Sequence, residues 1–248
     1  MIPERIALMT DFGNGPYVGQ VRLRLAELLP TTPVLDLIAD LPPFRPDLAA
    51  YLLPGLVRGM PPGTLYLGVV DPGVGGERAA LAITLDDNWL IGPDNGLFAP
   101  LIRQAHLVSV QRVDWRPANC SDSFHGRDLF APLAAALIHG TMPMPAVPLP
   151  ASAVIGYHGP MQLPRVVYVD HYGNLMTGLS ANVCDQRGRL RIGSHTLTYA
   201  RTFCSVPVGQ AFWYHNAFGL VEIAVNQGRA ATLFSAEPGT EVHWLGSE

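Results

Sequence analysis

The chain has 248 residues, 48% apolar and 15% charged, where an ordinary soluble protein has about 25% charged residues; this excludes a long disordered or coiled-coil protein and allows one large domain or two modest ones. All 16 basic residues are arginine, so a P-loop lysine, a Schiff-base lysine and a lysine general base are impossible. The formal charge is −4, with 10 Arg against 14 Asp plus Glu in residues 1–159 and six of each beyond, so neither part has the basic excess of a nucleic-acid binder.

IALMT at 6–10 reads as a short buried strand, with DFGNGPYVG directly after it. MIPERIALMT enters this strand too early, with an acidic residue in its lead, to read as a signal peptide. Val18, Val21, Leu25 and Leu28 then recur at helical spacing. VLDLI at 34–38 is the next strand, and the Pro-rich LPPFRP leads into a helix around 47–58. TLYLGVV at 64–70 has the continuous apolar character of a strand covered on both faces. ALAIT at 80–84 and NWLIG at 88–92 suit a hairpin around Asp86 and Asp87. LVSV at 107–110 is another strand, and residues 128–139 read as an apolar helix with Pro132 near its start. Strands alternating with helices predict an α/β first domain.

Four prolines in HGTMPMPAVPLP at 139–150 suit a connecting arm. Beyond it RVVYVD, RLRIG, HTLTYA, AFWYHN, LVEIAV and ATLF are short strand candidates between polar or glycine-containing turns, so the second domain is expected to be β-rich. The expected boundaries are 1–148, a linker at 149–159, and 160–248. No run of about 18 apolar residues suggests a membrane span. Cys120, Cys184 and Cys204 form an odd set without metal-ligand spacing, so a disulfide-free cytoplasmic protein with no metal is expected.

The polar residues that end apolar strands are the candidates for chemistry, because strand C-terminal ends face the usual ligand crevice of an open α/β sheet. Asp11 follows IALMT, Asp71 opens DPGVGGER, and Asp94 lies in GPDNG. The glycines after Asp71 allow a tight loop that returns Arg78 to its carboxylate, and SFHGRDLF sets His125 just before a helix. Each also has a plain reading: DPGVGG as an ordinary turn, Arg78 as a structural ion pair, His125 as a packing residue. Asp128 reads as a helix cap rather than a general base. Neither GxGxxG nor GxxxxGK[ST] is present, so no nucleotide cofactor is indicated. In the second half Asp170 and Asn174 flank Gly173, and Asn216 precedes another strand. Phe44, Tyr172, Phe212, Trp213 and Phe218 are suited either to stacking on a base or to a core. Cys204 reads as a small apolar filler.

Taken in order, MTDFG at 9–13 with YVG at 17–19, DPGVGGER at 71–78, GPDNG at 92–96, FHGRD at 124–128, VYVDHYGN at 167–174 and NAFGLVEIAVNQG at 216–228 resemble the S-adenosylmethionine hydroxide adenosyltransferase family, relatives of the fluorinating and chlorinating enzymes. The resemblance implies a Rossmann-like N-terminal α/β domain, a C-terminal β-barrel-like domain, and a homotrimer with sites between subunits. It implies hydrolysis of S-adenosylmethionine to adenosine and methionine without a cofactor. The family's Asp-Arg-His set falls on Asp71, Arg78 and His125; which of them takes the proton of the attacking water stays open. Asp11 matches a carboxylate on the ribose hydroxyls, Asn174 an adenine-edge contact, Asp170 a carboxylate near the methionine amine, Phe44 an aromatic wall, and Gln227 a backbone contact to adenine. Asn216 and Phe218 join the substrate-binding candidates.

Three features depart from the family pattern. DFGNGPYVG is one residue short and lacks an acidic residue before its Pro-Tyr pair. Arg22 and Leu23 stand where a Lys-Gly pair is frequent. Ala217 replaces a serine whose hydroxyl donates to the methionine carboxylate. Chloride-dependent halogenation and non-catalytic binding of adenosine or S-adenosylmethionine are the competing readings.

Overall fold

The strand expected at 6–10 lies second from the edge of a seven-stranded sheet. The computed structural model describes residues 2–246. The chain divides into two compact units, the first holding residues up to 50 with 59–159, the second holding 51–58 with everything from 160 onward.

The elements of the first part of the chain are β1 (Arg5–Thr10), α1 (Pro16–Leu28), β2 (Val34–Ile38), α2 (Pro46–Val57), β3 (Thr64–Val69), β4 (Ala80–Leu85), β5 (Asn88–Pro93), α3 (Ala99–Gln104), β6 (Val108–Val113), a π-helical turn (Gly126–Phe130) running into α4 (Ala131–His139), and β7 (Ala146–Leu149). Helix α2 is divided between the units at residue 50. The sheet order is β2-β1-β3-β5-β4-β6-β7. The pairs among β2, β1, β3 and β5 are parallel, and the rest are antiparallel, so the sheet is mixed. Every residue of β3 is buried, as expected of a central strand with both faces covered. Val18, Val21 and Leu25 turn one face of α1 to that core, where Leu8, Leu67 and Phe130 also lie. The hairpin β4–β5 pairs Leu85 with Asn88 around Asp86 and Asp87.

The Pro-rich segment is more than an arm. Its residues 146–149 form β7, an edge strand paired only with β6, where Pro148 is tolerated because an edge has one side free of the ladder. Six-residue α3 is too short to show periodicity in the sequence.

The second unit holds β8 (Leu163–Val169), β9 (Leu175–Ser180), β10 (Arg189–Ile192), β11 (His195–Thr198), β12 (Ala211–His215), β13 (Leu220–Val225), α5 (Ala230–Leu233) and β14 (Val242–Trp244). They make two antiparallel sheets, β12-β13-β9-β8 and β11-β10-β14. Trp213, Leu175, Val221 and Ile223 are central to a core shared with Leu190 and Ile192. ATLF is a correction: its first three residues belong to the single helical turn α5 instead of a strand. Leu233 N–H and Phe234 N–H donate to the carbonyls of Arg229 and Ala230 at 3.0 Å, and a four-residue apolar run cannot tell the two states apart. Among the described residues no helix is long and apolar enough to cross a membrane.

Candidate active site

Adjacent parallel strands β1 and β3 end close to Asp11 and Asp71. Asn95 donates its amide N–H to the Val70 carbonyl at 2.8 Å, pinning the strand end before Asp71. The glycine loop then doubles back. Gly76 N–H donates to the Gly73 carbonyl at 3.0 Å, and Arg116 Nη2 holds the Gly76 carbonyl at 2.7 Å. Gly75 has φ +81 and a side chain there would meet the Asp122 carbonyl, so this turn requires glycine. The loop thereby returns Arg78 to Asp71, as the seven-residue spacing suggested.

Arg78 Nε donates to both oxygens of Asp71 at 3.1 and 3.0 Å, and Nη2 also donates to Asp71 Oδ2. Both side chains are nearly closed to solvent, at 9% and 5% exposure. The guanidinium lies over the Phe130 ring at 4.9 Å. Its Nη2 also stands 2.6 Å from His125 Nδ1. A guanidinium can only donate, so Nδ1 accepts, the ring is neutral, and its proton sits on Nε2. That buried Nε2–H has no partner among the described residues. Burial, then the charges of Arg78 and Arg116, hold the His125 pKa below its ordinary value, with Asp71 and Asp122 opposing. Arg78 is thus the middle of an Asp-Arg-His chain.

Asp71 and His125 border a cavity of 630 Å³ together with Asp11, Phe44, Phe12, Tyr17 and Phe124. Phe44 N–H donates to Asp11 Oδ2 at 3.0 Å from a backbone with φ +62, a strained state for a bulky residue that marks functional sites. Burial pushes the Asp11 carboxyl above its usual range, Phe44 N–H opposes this, and the Asp71 charge adds to it. Phe12, Tyr17 and Phe124 form an aromatic wall with centroids 5.2 to 6.2 Å apart. Asp128 does not cap α4. It sits inside the π-helical turn, accepts from Ser121 N–H at 3.1 Å and pairs with Arg127, tying down the loop before His125.

In the second unit Asp170, Asn174 and Gln227 border a separate cavity of 690 Å³ with Tyr172, Tyr214 and Arg229. The loop between β8 and β9 closes tightly: Asn174 N–H and Nδ2–H donate to Asp170 Oδ1 and Oδ2 at 2.8 and 2.9 Å. Gly173, at φ +84, packs where a Cβ would lie 2.9 Å from Arg229. Gln227 also has positive φ, +53.

Asn216 and Phe218 border neither cavity. Asn216 Oδ1 accepts from the Phe218 and Leu220 N–H groups at 3.0 and 2.9 Å, building the turn into β13. Phe218 packs on Gly55, where a Cβ would lie 2.6 Å away. Phe212 and Trp213 are core residues, and Cys204, read as a filler, is exposed. Sequence reasoning missed Glu222, 2% exposed in β13. It accepts from Tyr214 O–H at 2.5 Å and Asn216 Nδ2 at 2.7 Å. Burial lifts its pKa, and burial together with Glu222 lifts that of Tyr214. The available signal was a lone acid inside the apolar run LVEIAV. Among the described residues no group of three His, Cys, Asp or Glu is placed to hold a metal ion.

Residues 6–147 match the SAM hydroxide adenosyltransferase N-terminal domain, and residues 164–243 match the C-terminal domain of the same name. The chain is 34% identical over 251 residues to a Salinispora arenicola protein named (R)-S-adenosyl-L-methionine hydrolase, covering 96% of each. It is 36% identical over 263 residues to a Thermus thermophilus protein of the same name, covering 97% of this chain and 99% of the other. Among solved structures it is similar to an uncharacterized conserved protein from Thermotoga maritima, with TM-score 0.82, 28% identity, and coverage of 96% and 98%. A conserved hypothetical protein from Thermus thermophilus has TM-score 0.76 and 32% identity, with 99% and 100% covered.

Proposed function

The chain belongs to the SAM hydroxide adenosyltransferase family, and we propose that it hydrolyses S-adenosyl-L-methionine to adenosine and L-methionine. The observation that carries the chemistry is the buried Asp71–Arg78–His125 chain, two of whose members border one cavity with Asp11. Water attacks the ribose 5′ carbon. A carbon–oxygen bond forms, the carbon–sulfur bond breaks, and the sulfonium takes the electron pair to leave as the neutral thioether of methionine. The proton released from water balances the lost positive charge.

The tautomer divides the roles. His125 Nδ1 is already an acceptor for Arg78, so His125 holds the attacking oxygen through Nε2–H and does not take its proton. Asp71 is the acceptor, and Arg78 orients it and stabilises the developing hydroxide. Holding attacker, carbon and sulfur in line is the remaining task. Asp11 binds the ribose hydroxyls beside Phe44, while Asn174 and the backbone at Gln227 bind the base. Asn216 and Phe218 act by shaping the turn that leads into β13. Halide is disfavoured as nucleophile because Asp11 and Asp71 face the same cavity and repel an anion. The reading needs no cofactor.

The finer organisation is a Rossmann-like domain centred on 1–148 and a β-barrel-like domain centred on 160–248, with the linker residues 149–159 grouped with the first and 51–58 with the second, in a cytoplasmic homotrimer with sites between subunits. The parallel run β2-β1-β3-β5, with acids after two of its strand ends, supports the first of these. Turnover of S-adenosylmethionine in oxygen-labelled water tests the reaction. Label at the 5′ oxygen of adenosine is expected. Label in methionine would overturn the proposal, and tight binding without product would favour a binding protein.

A further inference from the structure

Family resemblance matches Asp170 to a contact for the methionine amine, yet both of its oxygens already accept from Asn174. Oδ1 takes the backbone N–H at 2.8 Å, and Oδ2 takes the side-chain Nδ2–H at 2.9 Å. An amide held in this way cannot turn over, because its carbonyl oxygen would then face the Asp170 carboxylate. Asn174 Oδ1 and the second Nδ2–H have no partner among the described residues, and the residue borders the 690 Å³ cavity. The cavity therefore meets an acceptor and a donor side by side, in a fixed order.

We propose that Asp170 is a positioning residue that locks the amide of Asn174, so that the site accepts a 6-amino purine and rejects a 6-oxo purine. The proposal rests on the adenosine-forming reading above. The Watson–Crick edge of adenine offers an amino N–H beside the N1 acceptor, and the locked amide meets this pair acceptor to donor and donor to acceptor. A 6-oxo purine reverses this edge, with an oxygen in place of the amino group and an N1–H in place of the acceptor, so it meets the locked amide oxygen to oxygen and N–H to N–H. Turning the amide over would accommodate it, and Asp170 forbids that. The surrounding loop supports the lock: Gly173 packs on Arg229, whose Nη1 donates to the His171 carbonyl at 2.8 Å.

Calorimetric titration of the whole chain with adenosine and with inosine is the test, since neither nucleoside carries a methionine amine. Wild-type protein is expected to prefer adenosine. In Asp170→Asn the new amide can pair with either orientation of Asn174, and the adenosine-to-inosine affinity ratio is expected to fall by about tenfold or more. Asp170→Ser removes the lock without adding a long side chain, and carries the same expectation should Asp170→Asn not fold. An unchanged ratio in a folded variant, with a raised KM for S-adenosylmethionine, returns Asp170 to the amine and overturns the lock. Wild-type protein that binds both nucleosides equally also overturns it. Wild-type protein that binds neither overturns the adenosine-forming reading and the lock with it.

Discussion

A neutral histidine beside a guanidinium fixes how the site responds to acid. Protonating His125 would remove the acceptor for Arg78 Nη2 and set a second cation against it. Burial and Arg78 depress its folded pKa below the ordinary 6.5. As pH falls through 6.5 the unfolded chain takes up the proton first, so this contribution to native stability is whole above 6.5 and is lost as pH falls toward the folded value. Melting temperature and kcat measured from about pH 5 to 8 are both expected to decline on the acid side. His125→Ala should lower kcat by about 10²–10⁴-fold, leave adenosine affinity within a few-fold, and flatten the acid limb. An unchanged rate would remove His125 from the mechanism. The sequence made Asp71 and Asp11 legible because each ends an apolar run, and His125 because it stands just before an apolar helix. It could not show the tautomer, since Arg78 reaches His125 across 47 positions of chain.

At the scale of elements, glycine explains both what the sequence conceals and what it requires. LMTGLS at 175–180 is strand β9, yet Gly178 breaks the apolar pattern as a turn residue would. It is needed there because a Cβ would lie 2.7 Å from Leu163 on neighbouring β8. β14 has only three residues, too few for alternation to register. GPDNG holds the candidate acid Asp94, and its Gly92, the last residue of the expected strand NWLIG, proves to permit close approach of β5 to β3. A Cβ there would collide with the Gly68 carbonyl and lie 2.8 Å from the Phe98 ring. Because β3 leads to Asp71, Gly92→Ala is expected to act on stability and catalysis together. Forced separation of two strand backbones should lower unfolding free energy by about 1–3 kcal/mol, read by urea titration, with a fall in kcat as Asp71 shifts from Arg78. If denaturation midpoint and kcat both stay at wild-type values, the approach of β5 does not set the site.

At the scale of the molecule, tertiary grouping overrides chain order. Residues 51–58 belong with the second unit, through Gly55 against Phe218 and Arg58 against Gly219. No local pattern announces this, because the partners lie far downstream in the chain. Asp11, Asp71 and His125 border one cavity, and the residues assigned to the base border another in the other unit. Each cavity presents exposed aromatic rings, Phe44 at 73% in one and Tyr172 at 72% in the other. The homotrimer reading has one subunit supply the first set and a neighbour the second. Light scattering should then give three times the 26.8 kDa chain mass. Subunit complementation tests the shared site directly. His125→Ala damages only the first set and Asn174→Ala only the second, so neither homotrimer should turn over substrate well. When the two variants are co-expressed in equal amounts, one site in each mixed head-to-tail trimer pairs an intact first set with an intact second set, which is about a quarter of the sites over all trimers, mixed and unmixed. Activity should recover to about that fraction of wild type. Mixed trimers no more active than their parents would mean that each subunit builds its site alone.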